Sequence, residues 1–140
     1  MRFVAILACA SIFAACGGHS ARSPEAVARA WSAALDRSDD GAAASLFAPS
    51  AVVVQSRELV LQTHADAVTW NAALPCGGRI TRVVPERRDE VLVVFRLTER
   101  PGHSCDAPGA SAAALFRVEH GRIVLWHQTP VPAQAGTPVV

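Results

Sequence analysis

The apolar residues of two segments recur at the spacing of an amphipathic helix. Ser23 and Pro24 form a helix start, and the apolar positions within residues 27–35 then fall on one helical face. A second segment begins at Thr63, which opens a helix-capping pattern, and it ends before Pro75. The two patterns predict two helices, each with one buried face.

A shorter helix is predicted between these two segments. Asp39 and its neighbours supply the cap, and Leu46 and Phe47 lie within the helix. Pro49 ends it, because a proline interrupts helical hydrogen bonding.

Runs of aliphatic and β-branched residues predict six strands in the rest of the chain. Pro85 cannot donate to a strand ladder, so it is expected at a strand end or a bulge. The order of elements, α-α-β-β-α-β-β-β-β, predicts an α+β fold with a mostly antiparallel sheet. The predicted strands are Val52–Val54, Leu59–Leu61, Arg79–Val84, Val91–Leu97, Ala112–Glu119 and Arg122–Gln128.

Composition narrows the range of functions. The 140 residues are 51% hydrophobic and 18% charged, with a formal net charge of +1. This apolar content excludes a disordered polar chain, and the near-neutral charge excludes a nucleic-acid partner held by a basic surface. The length allows one domain, which we expect to cover residues 23–129.

The chain begins with the features of an export signal. Arg2 precedes an apolar run over residues 3–15, which is too short to cross a bilayer because a spanning helix needs roughly 20 apolar residues. The run ends in Phe13-Ala14-Ala15-Cys16, which resembles the bacterial lipoprotein signal. The resemblance implies a signal peptide over residues 1–15, a lipid on Cys16 and a tether over residues 16–22. Ordinary cleavage near Ala15, which leaves Cys16 as a free thiol, is the alternative.

The same resemblance implies a location. We expect a membrane-anchored lipoprotein of the bacterial cell envelope, exposed outside the cytoplasm and held to the membrane by its acyl chains. At the other end of the chain, residues 130–140 are rich in proline and small residues. They are expected to form a flexible tail.

Two cysteines, Cys76 and Cys105, remain in the predicted domain. Export places them in an oxidising space, where two thiols usually pair. The hairpin predicted from the strands on either side of residues 85–90 puts Cys76 opposite a point near Pro101, close to Cys105. A disulfide is therefore predicted, and the alternatives are two free thiols or a metal site that uses His103 with Cys105. One His-x-Cys pair has too few ligands for zinc, so no metal is expected.

Three phrases in the chain, taken together and in order, resemble the nuclear transport factor 2-like superfamily, which includes SnoaL-like proteins and ketosteroid isomerase. They are Val27–Asp36 (VARAWSAALD), Leu46–Val52 (LFAPSAV) and Phe116–Ile123 (FRVEHGRI). The resemblance implies a cone-shaped α+β fold, in which a curved, mixed, mostly antiparallel sheet and three helices from the N-terminal half enclose a mostly apolar pocket. Homodimers are frequent in the superfamily, so the resemblance leaves a homodimer open.

The resemblance does not extend to the catalytic groups of ketosteroid isomerase. In that enzyme a carboxylate moves the proton, while a tyrosine and a protonated carboxylic acid stabilise the enolate. The matching positions hold Gln55 for the base, Trp31 for the tyrosine and Ala113, or a neighbouring alanine, for the acid. An amide does not accept a proton at neutral pH, and an indole is only a donor. Steroid isomerisation is therefore not expected.

No other catalytic constellation is evident in the sequence. Side chains alternate across a strand, so Val124, Trp126 and Gln128 are expected to face the pocket and His127 the convex side of the sheet. There is no nucleophile motif, phosphate-binding glycine loop or metal-ligand cluster. We expect no cofactor.

The residues expected to line the pocket are mostly apolar. Aromatic surface with two amides suits a neutral, flat or branched apolar ligand, and the alternative is that the same tryptophans fill the core. The leading interpretation is an exported, non-catalytic lipoprotein that binds a small apolar ligand or acts as an envelope accessory protein. The alternatives are a SnoaL-like enzyme of isomerase, cyclase or hydrolase type that uses His127 as acid and base, and a dimerisation or protein-interaction module with a filled core. The expected lining residues are Trp31, Val53, Gln55, Trp70, Phe95, Ala113, Trp126 and Gln128.

Overall fold

The computed structural model of the protein describes residues 20–133. The predicted signal peptide, the lipidation site Cys16 and residues 134–140 of the predicted tail lie outside the described residues. Within residues 20–133, no helix combines the length and the apolar character that crossing a bilayer requires.

The described residues form three helices and six strands in the predicted order. Ser23 caps the first helix by accepting a hydrogen bond from the Ala26 N–H at 3.2 Å, and Thr63 and Asp66 form a reciprocal capping box at the third. The elements are α1 (Pro24–Asp36), α2 (Asp40–Ala44), β1 (Phe47–Val54), β2 (Glu58–Leu61), α3 (His64–Ala72), β3 (Gly77–Arg87), β4 (Glu90–Thr98), β5 (Ser111–Glu119) and β6 (Arg122–Thr129).

The six strands form one curved, unclosed sheet in the order β2-β1-β6-β5-β4-β3. β1 and β6 pair in parallel, and every other neighbouring pair is antiparallel. α1 packs against β3, β4, β5 and β6, while α3 packs against α2, β1 and β2. The helices therefore cover the concave face of the sheet. The predicted cone-like α+β fold is confirmed.

The second helix is shorter than its local signals predict. α2 ends at Ala44, so the prediction that it contains Leu46 and Phe47 is wrong. Phe47 instead begins β1 and pairs with Ile123 of β6, whose N–H donates to the Leu46 carbonyl at 2.8 Å. Pairing with a distant strand thus overrides the local helix signal. Pro49 lies where the pairing of β1 with β6 is interrupted, so its missing N–H breaks no ladder.

Trp31 of α1 lies at the centre of an aromatic core. Its ring centroid is 5.5 Å from that of Phe116, 5.9 Å from that of Trp126, 6.1 Å from that of Phe95 and 6.5 Å from that of Trp70. Aromatic pairs at such distances each contribute about 0.5–1.5 kcal/mol beyond the area they bury. The contacts of this one side chain therefore fix α1 on the sheet.

Arg100 follows β4, and its side chain is completely buried. Its Nε donates to Ser38 Oγ at 3.1 Å, and one terminal nitrogen donates to the carbonyls of Asn71 and Leu74, both at 3.1 Å. The other terminal nitrogen pairs with the Asp40 carboxylate at 2.5 Å. These partners come from the loop after α1, from α2 and from the end of α3. A single guanidinium group therefore joins the three helical regions to the end of β4.

The β3–β4 ladder contains two irregularities that change its register. One lies between Pro85 and Arg87, in agreement with the strand end or bulge that the missing N–H of Pro85 predicts, and the other lies nearer the start of β3. Beyond both, Gly77 pairs with Thr98. A regular hairpin extrapolated from the turn does not give this register.

Cys76 and Cys105 form a disulfide in the structure. The observed register brings Cys76 opposite Glu99, not opposite a point near Pro101. The loop after β4 turns back toward Glu99, where the Cys105 N–H donates to the Glu99 carboxylate at 2.9 Å. The disulfide therefore joins the start of β3 to the loop after β4, next to the segment that Arg100 anchors.

Replacing Arg100 with methionine should lower the free energy of unfolding by about 3–5 kcal/mol, because it leaves the carboxylate of Asp40 and two buried carbonyls without their donor. Urea unfolding followed by tryptophan fluorescence measures the loss. Arg29→Met is the matched control, since Arg29 pairs with Glu25 on an exposed helix face and its loss should cost below about 1 kcal/mol. Equal effects of the two substitutions would contradict the role given to Arg100.

The double substitution Cys76→Ser and Cys105→Ser should lower the free energy of unfolding by about 3–4 kcal/mol, because the disulfide closes a loop with a sequence separation of 29. Peptide mass spectrometry without reductant should recover the two cysteines in linked peptides. Two free thiols in the purified, unreduced protein would refute the disulfide.

Candidate ligand-binding cavity

The concave face of the sheet and α1 enclose a cavity of about 320 Å³ that opens to solvent. Its volume falls within the range that small-molecule sites occupy in proteins, roughly 300–1,000 Å³. The cavity lies beside the disulfide, between the end of α3, the start of β3 and the middle of β5. Its wall consists of Trp31, Leu35, Gln55, Leu74, Pro75, Cys76, Gly77, Gly78, Phe95, Leu97, Asp106, Ala112, Ala113, Ala114, Trp126 and Gln128.

Three buried aromatic side chains, Trp31, Phe95 and Trp126, form the floor of the cavity. The indole N–H of Trp31 donates to Asn71 Oδ1 at 2.8 Å, and Asn71 Nδ2 donates to the Ala67 carbonyl at 2.8 Å. Asn71 is completely buried, so its amide sets the orientation of the Trp31 ring. The lining predicted from the sequence omits Asn71, although a single amide among the apolar positions of α3 was a signal for a buried polar contact.

Polar side chains lie at the rim. Gln55 follows β1 and Gln128 lies near the end of β6, and both are exposed. β1 and β6 are paired neighbours in the sheet, so these two amides lie on adjacent strands. Their amide groups can donate and accept hydrogen bonds but do not exchange protons at neutral pH. The rim therefore offers hydrogen bonding at the mouth of an apolar space.

Six of the eight residues predicted to line the pocket border this cavity, and Val53 and Trp70 do not. Val53 is only 1% exposed and belongs to the packed core. Trp70 lies behind the floor, with its ring centroid 5.1 Å from that of Trp126 and 5.6 Å from that of Phe47. Both side chains support the cavity without contacting its space.

Strand register determines which alanine side chains face the aromatic floor. Ala112 pairs with Phe95, and Ala114 pairs with Gln128, and paired residues of neighbouring strands project to the same face. Ala113 lies between them in β5 and also borders the cavity. The methyl groups that face the floor are therefore those of Ala112 and Ala114, the neighbouring alanines that the sequence left as alternatives to Ala113.

The start of β3 passes very close to the end of α1. Asp36 Oδ1 accepts a hydrogen bond from the Gly78 N–H at 2.7 Å, and a Cβ atom at Gly77 would collide with the same carboxylate. A Cβ atom at Gly78 would lie 3.1 Å from the Phe95 ring. Two glycines thus allow the strand to form one side of the cavity directly under the helix.

Asp106, which the sequence analysis did not select, contributes a carboxylate to the wall. Its Oδ1 is 3.5 Å from Cys76 Sγ, and the ligand atoms of Cys76, Cys105 and Asp106 lie within 4.8 Å of one another. Both sulfurs belong to the disulfide, so neither is a thiolate that could bind a metal. His103, the other residue of the metal-site alternative, has its ring nitrogens at 3.0 and 2.9 Å from the carbonyl oxygens of Pro101 and Ala72.

The convex face holds the histidine that the sequence analysis considered as a base. His127 pairs with Leu115 and Val54 and does not border the cavity. A register shift between β5 and β6 also changes the expected alternation, because Ile123 is completely buried while Val124 is half-buried and does not line the cavity.

An ion pair also lies on this sheet. Glu90 is 7% exposed and accepts hydrogen bonds from Arg117 at 2.6 and 2.9 Å. This hydrogen bond to Glu90 raises the pKa of Arg117 above its ordinary value. The pair is not part of the cavity.

Comparison with known proteins identifies the fold. No family model matches the sequence, and no curated protein matches it. Among solved structures, a nuclear transport factor 2-like protein of unknown function from Cytophaga hutchinsonii has a TM-score of 0.63 at 11% identity, over 79% of this chain and 92% of that chain. A candidate polyketide cyclase from Sinorhizobium meliloti has a TM-score of 0.59 at 20% identity, over 74% of this chain and 93% of that one.

A third solved structure carries a small molecule. It is a hypothetical protein with a ketosteroid isomerase-like fold from Catenulispora acidiphila, in complex with trimethylamine. Its TM-score is 0.57 at 19% identity, over 78% of this chain and 87% of that chain. At these identities the similarity concerns the fold alone. The chain has the nuclear transport factor 2-like fold that ketosteroid isomerase-like and SnoaL-like proteins share.

Proposed function

We propose that the protein binds a small apolar molecule in the cavity and does not transform it. The observation that carries this proposal is the wall itself, with an aromatic floor, two alanine methyl groups and two amides at the rim. Apolar enclosure with a few polar points is the usual composition of a small-molecule site. At two of the positions that match the catalytic groups of ketosteroid isomerase the same wall holds Gln55 and Trp31, and its one carboxylate, that of Asp106, lies in the loop after β4 and not at a matching position.

The positions of the other candidate groups support binding over catalysis. His127 lies on the other face of the sheet, so the enzyme alternative loses its proposed acid–base group. The fold is compatible with a small ligand, because the structure from Catenulispora acidiphila is a complex with trimethylamine. The open cavity supports ligand binding over the alternative of a completely filled core. A homodimer stays a prediction of the family resemblance.

A neutral flat probe tests the proposal directly. 2-Naphthylmethanol should bind the purified protein with a stoichiometry of one, and with a dissociation constant on the order of 0.1 mM for a ligand of this size. Isothermal titration calorimetry measures both values. Quenching of tryptophan fluorescence should follow the same curve, because Trp31 and Trp126 form the floor.

Filling the cavity should abolish this binding. Ala114→Leu adds three carbon atoms on the concave face, and we expect at least a tenfold loss of affinity for 2-naphthylmethanol because the probe and the new side chain compete for one space. Ala33→Leu makes the same change on the exposed face of α1 and should leave the affinity unchanged. Urea unfolding confirms that both variants are folded. Unchanged binding by a folded Ala114→Leu protein would refute this site.

We also propose that the domain is carried on a lipoprotein of the bacterial envelope. The support is the apolar run over residues 3–15 followed by Phe13-Ala14-Ala15-Cys16. On this proposal the mature chain begins at the lipidated Cys16, and residues 17–22 separate the membrane from the domain. Acyl chains would then keep the cavity close to a source of apolar molecules.

Replacing Cys16 with serine should move the protein from the membrane fraction to the soluble fraction, because a serine cannot carry the thioether-linked lipid. Cys9→Ser is the control, since Cys9 lies inside the predicted signal peptide and its loss should leave the protein in the membrane fraction. Immunoblotting of separated fractions measures the distribution. Continued membrane association of the Cys16→Ser protein would refute the anchor.

A further inference from the structure

The charge on the cavity wall gives information about the ligand. Among the described residues that form the wall, Asp106 is the single one with an ionisable side chain, because the wall contains no arginine, lysine, histidine or other acid and Cys76 is in a disulfide. The wall therefore carries one negative charge and no positive charge.

The Asp106 carboxylate has no cation or hydrogen-bond donor beside it in the part of the chain that the structure describes. Its polar contact is with Cys76 Sγ at 3.5 Å, and a disulfide sulfur has no proton to donate. Neighbouring acids are engaged differently: Asp36 accepts the Gly78 N–H, and Asp40 pairs with Arg100. Asp106 is thus available to a ligand, while the other two acids are committed to the fold.

The floor of the cavity also favours positive charge. The faces of aromatic rings carry the negative part of a quadrupole, and a cation near such a face gains about 0.5–1 kcal/mol at an exposed site and more when it loses water. Trp31, Phe95 and Trp126 provide these rings within the same space that Asp106 borders. The side-chain oxygens of Gln55 and Gln128 can accept further hydrogen bonds from an ammonium group at the rim.

Resting on the proposed function, we infer that the ligand is an apolar amine that binds in its protonated form. Its hydrophobic body lies against the aromatic floor, and its ammonium group lies at the rim beside Asp106. This specifies the ligand class more narrowly than the neutral apolar molecule expected from the sequence. An anionic ligand of the same shape should bind more weakly, because the carboxylate repels it and no cation on the wall compensates.

Three probes with one naphthalene body test the inference. They are 2-(aminomethyl)naphthalene, which is a cation at pH 7, neutral 2-naphthylmethanol and anionic 2-naphthoate. We expect the amine to bind about 5- to 30-fold more tightly than the alcohol, from one partly solvated ion pair together with contact to the rings. The naphthoate should bind more weakly than both. Added salt should reduce the advantage of the amine and leave the alcohol unchanged.

A charge-removing variant identifies the group responsible. Asp106→Asn should lower the affinity for the amine by about 3- to 5-fold and keep the affinity for the alcohol within about 2-fold. Asp89→Asn, in the turn between β3 and β4, removes one charge away from the cavity and should change neither affinity. Isothermal titration calorimetry gives both constants for each protein.

The outcomes separate this inference from the proposed function. Equal binding of amine and alcohol, or an amine preference that is undiminished in Asp106→Asn, overturns the inference and leaves an apolar binding site in place. Tightest binding of the naphthoate overturns the inference as well. Failure of all three probes to bind the folded protein refutes the proposed function together with the inference.

Discussion

The buried guanidinium of Arg100 is the interaction on which the position of the helices depends. It comes from the segment after β4, and its partners belong to the loop after α1, to α2 and to the end of α3. A guanidinium presents its donors in a fixed plane, so the three regions must meet it in one arrangement. The helical layer is thereby held over the concave face by a polar contact, whereas α1 itself is fixed by the apolar contacts of Trp31.

The cavity exists because large and small side chains are segregated on its walls. The floor is built from rings on α1, β4 and β6, whereas β3 and β5 contribute glycines and alanines. A Cβ atom at Gly77 would collide with the Asp36 carboxylate, and one at Gly78 would press on the Phe95 ring. Ala112 and Ala114 line the cavity with no side chain larger than a methyl group, so the open volume adjoins β5. A fold that packed bulky residues on β5 would have the same topology and no cavity.

Local pattern predicted most of the fold and less of the site. Capping residues and runs of apolar positions act over a few residues, so the helix starts and the order of the elements along the chain could be read from the sequence. The strand identity of Phe47, the register of β3 with β4 and the choice between Ala113 and its neighbours all depend on pairing with distant strands. Asp106 was missed for a related reason, because it lies in a loop whose position is set by Arg100 and the disulfide.

The sulfur of Cys76 belongs both to the covalent link and to the cavity wall. Any molecule that binds the oxidised form better than the reduced form must, by thermodynamic linkage, make the disulfide harder to reduce. The reverse also holds, because closing the disulfide fixes the loop that carries Asp106 and so preorganises the rim. For such a molecule, occupancy of the cavity and the redox state of its wall are coupled, and the midpoint potential of this disulfide falls when the molecule binds.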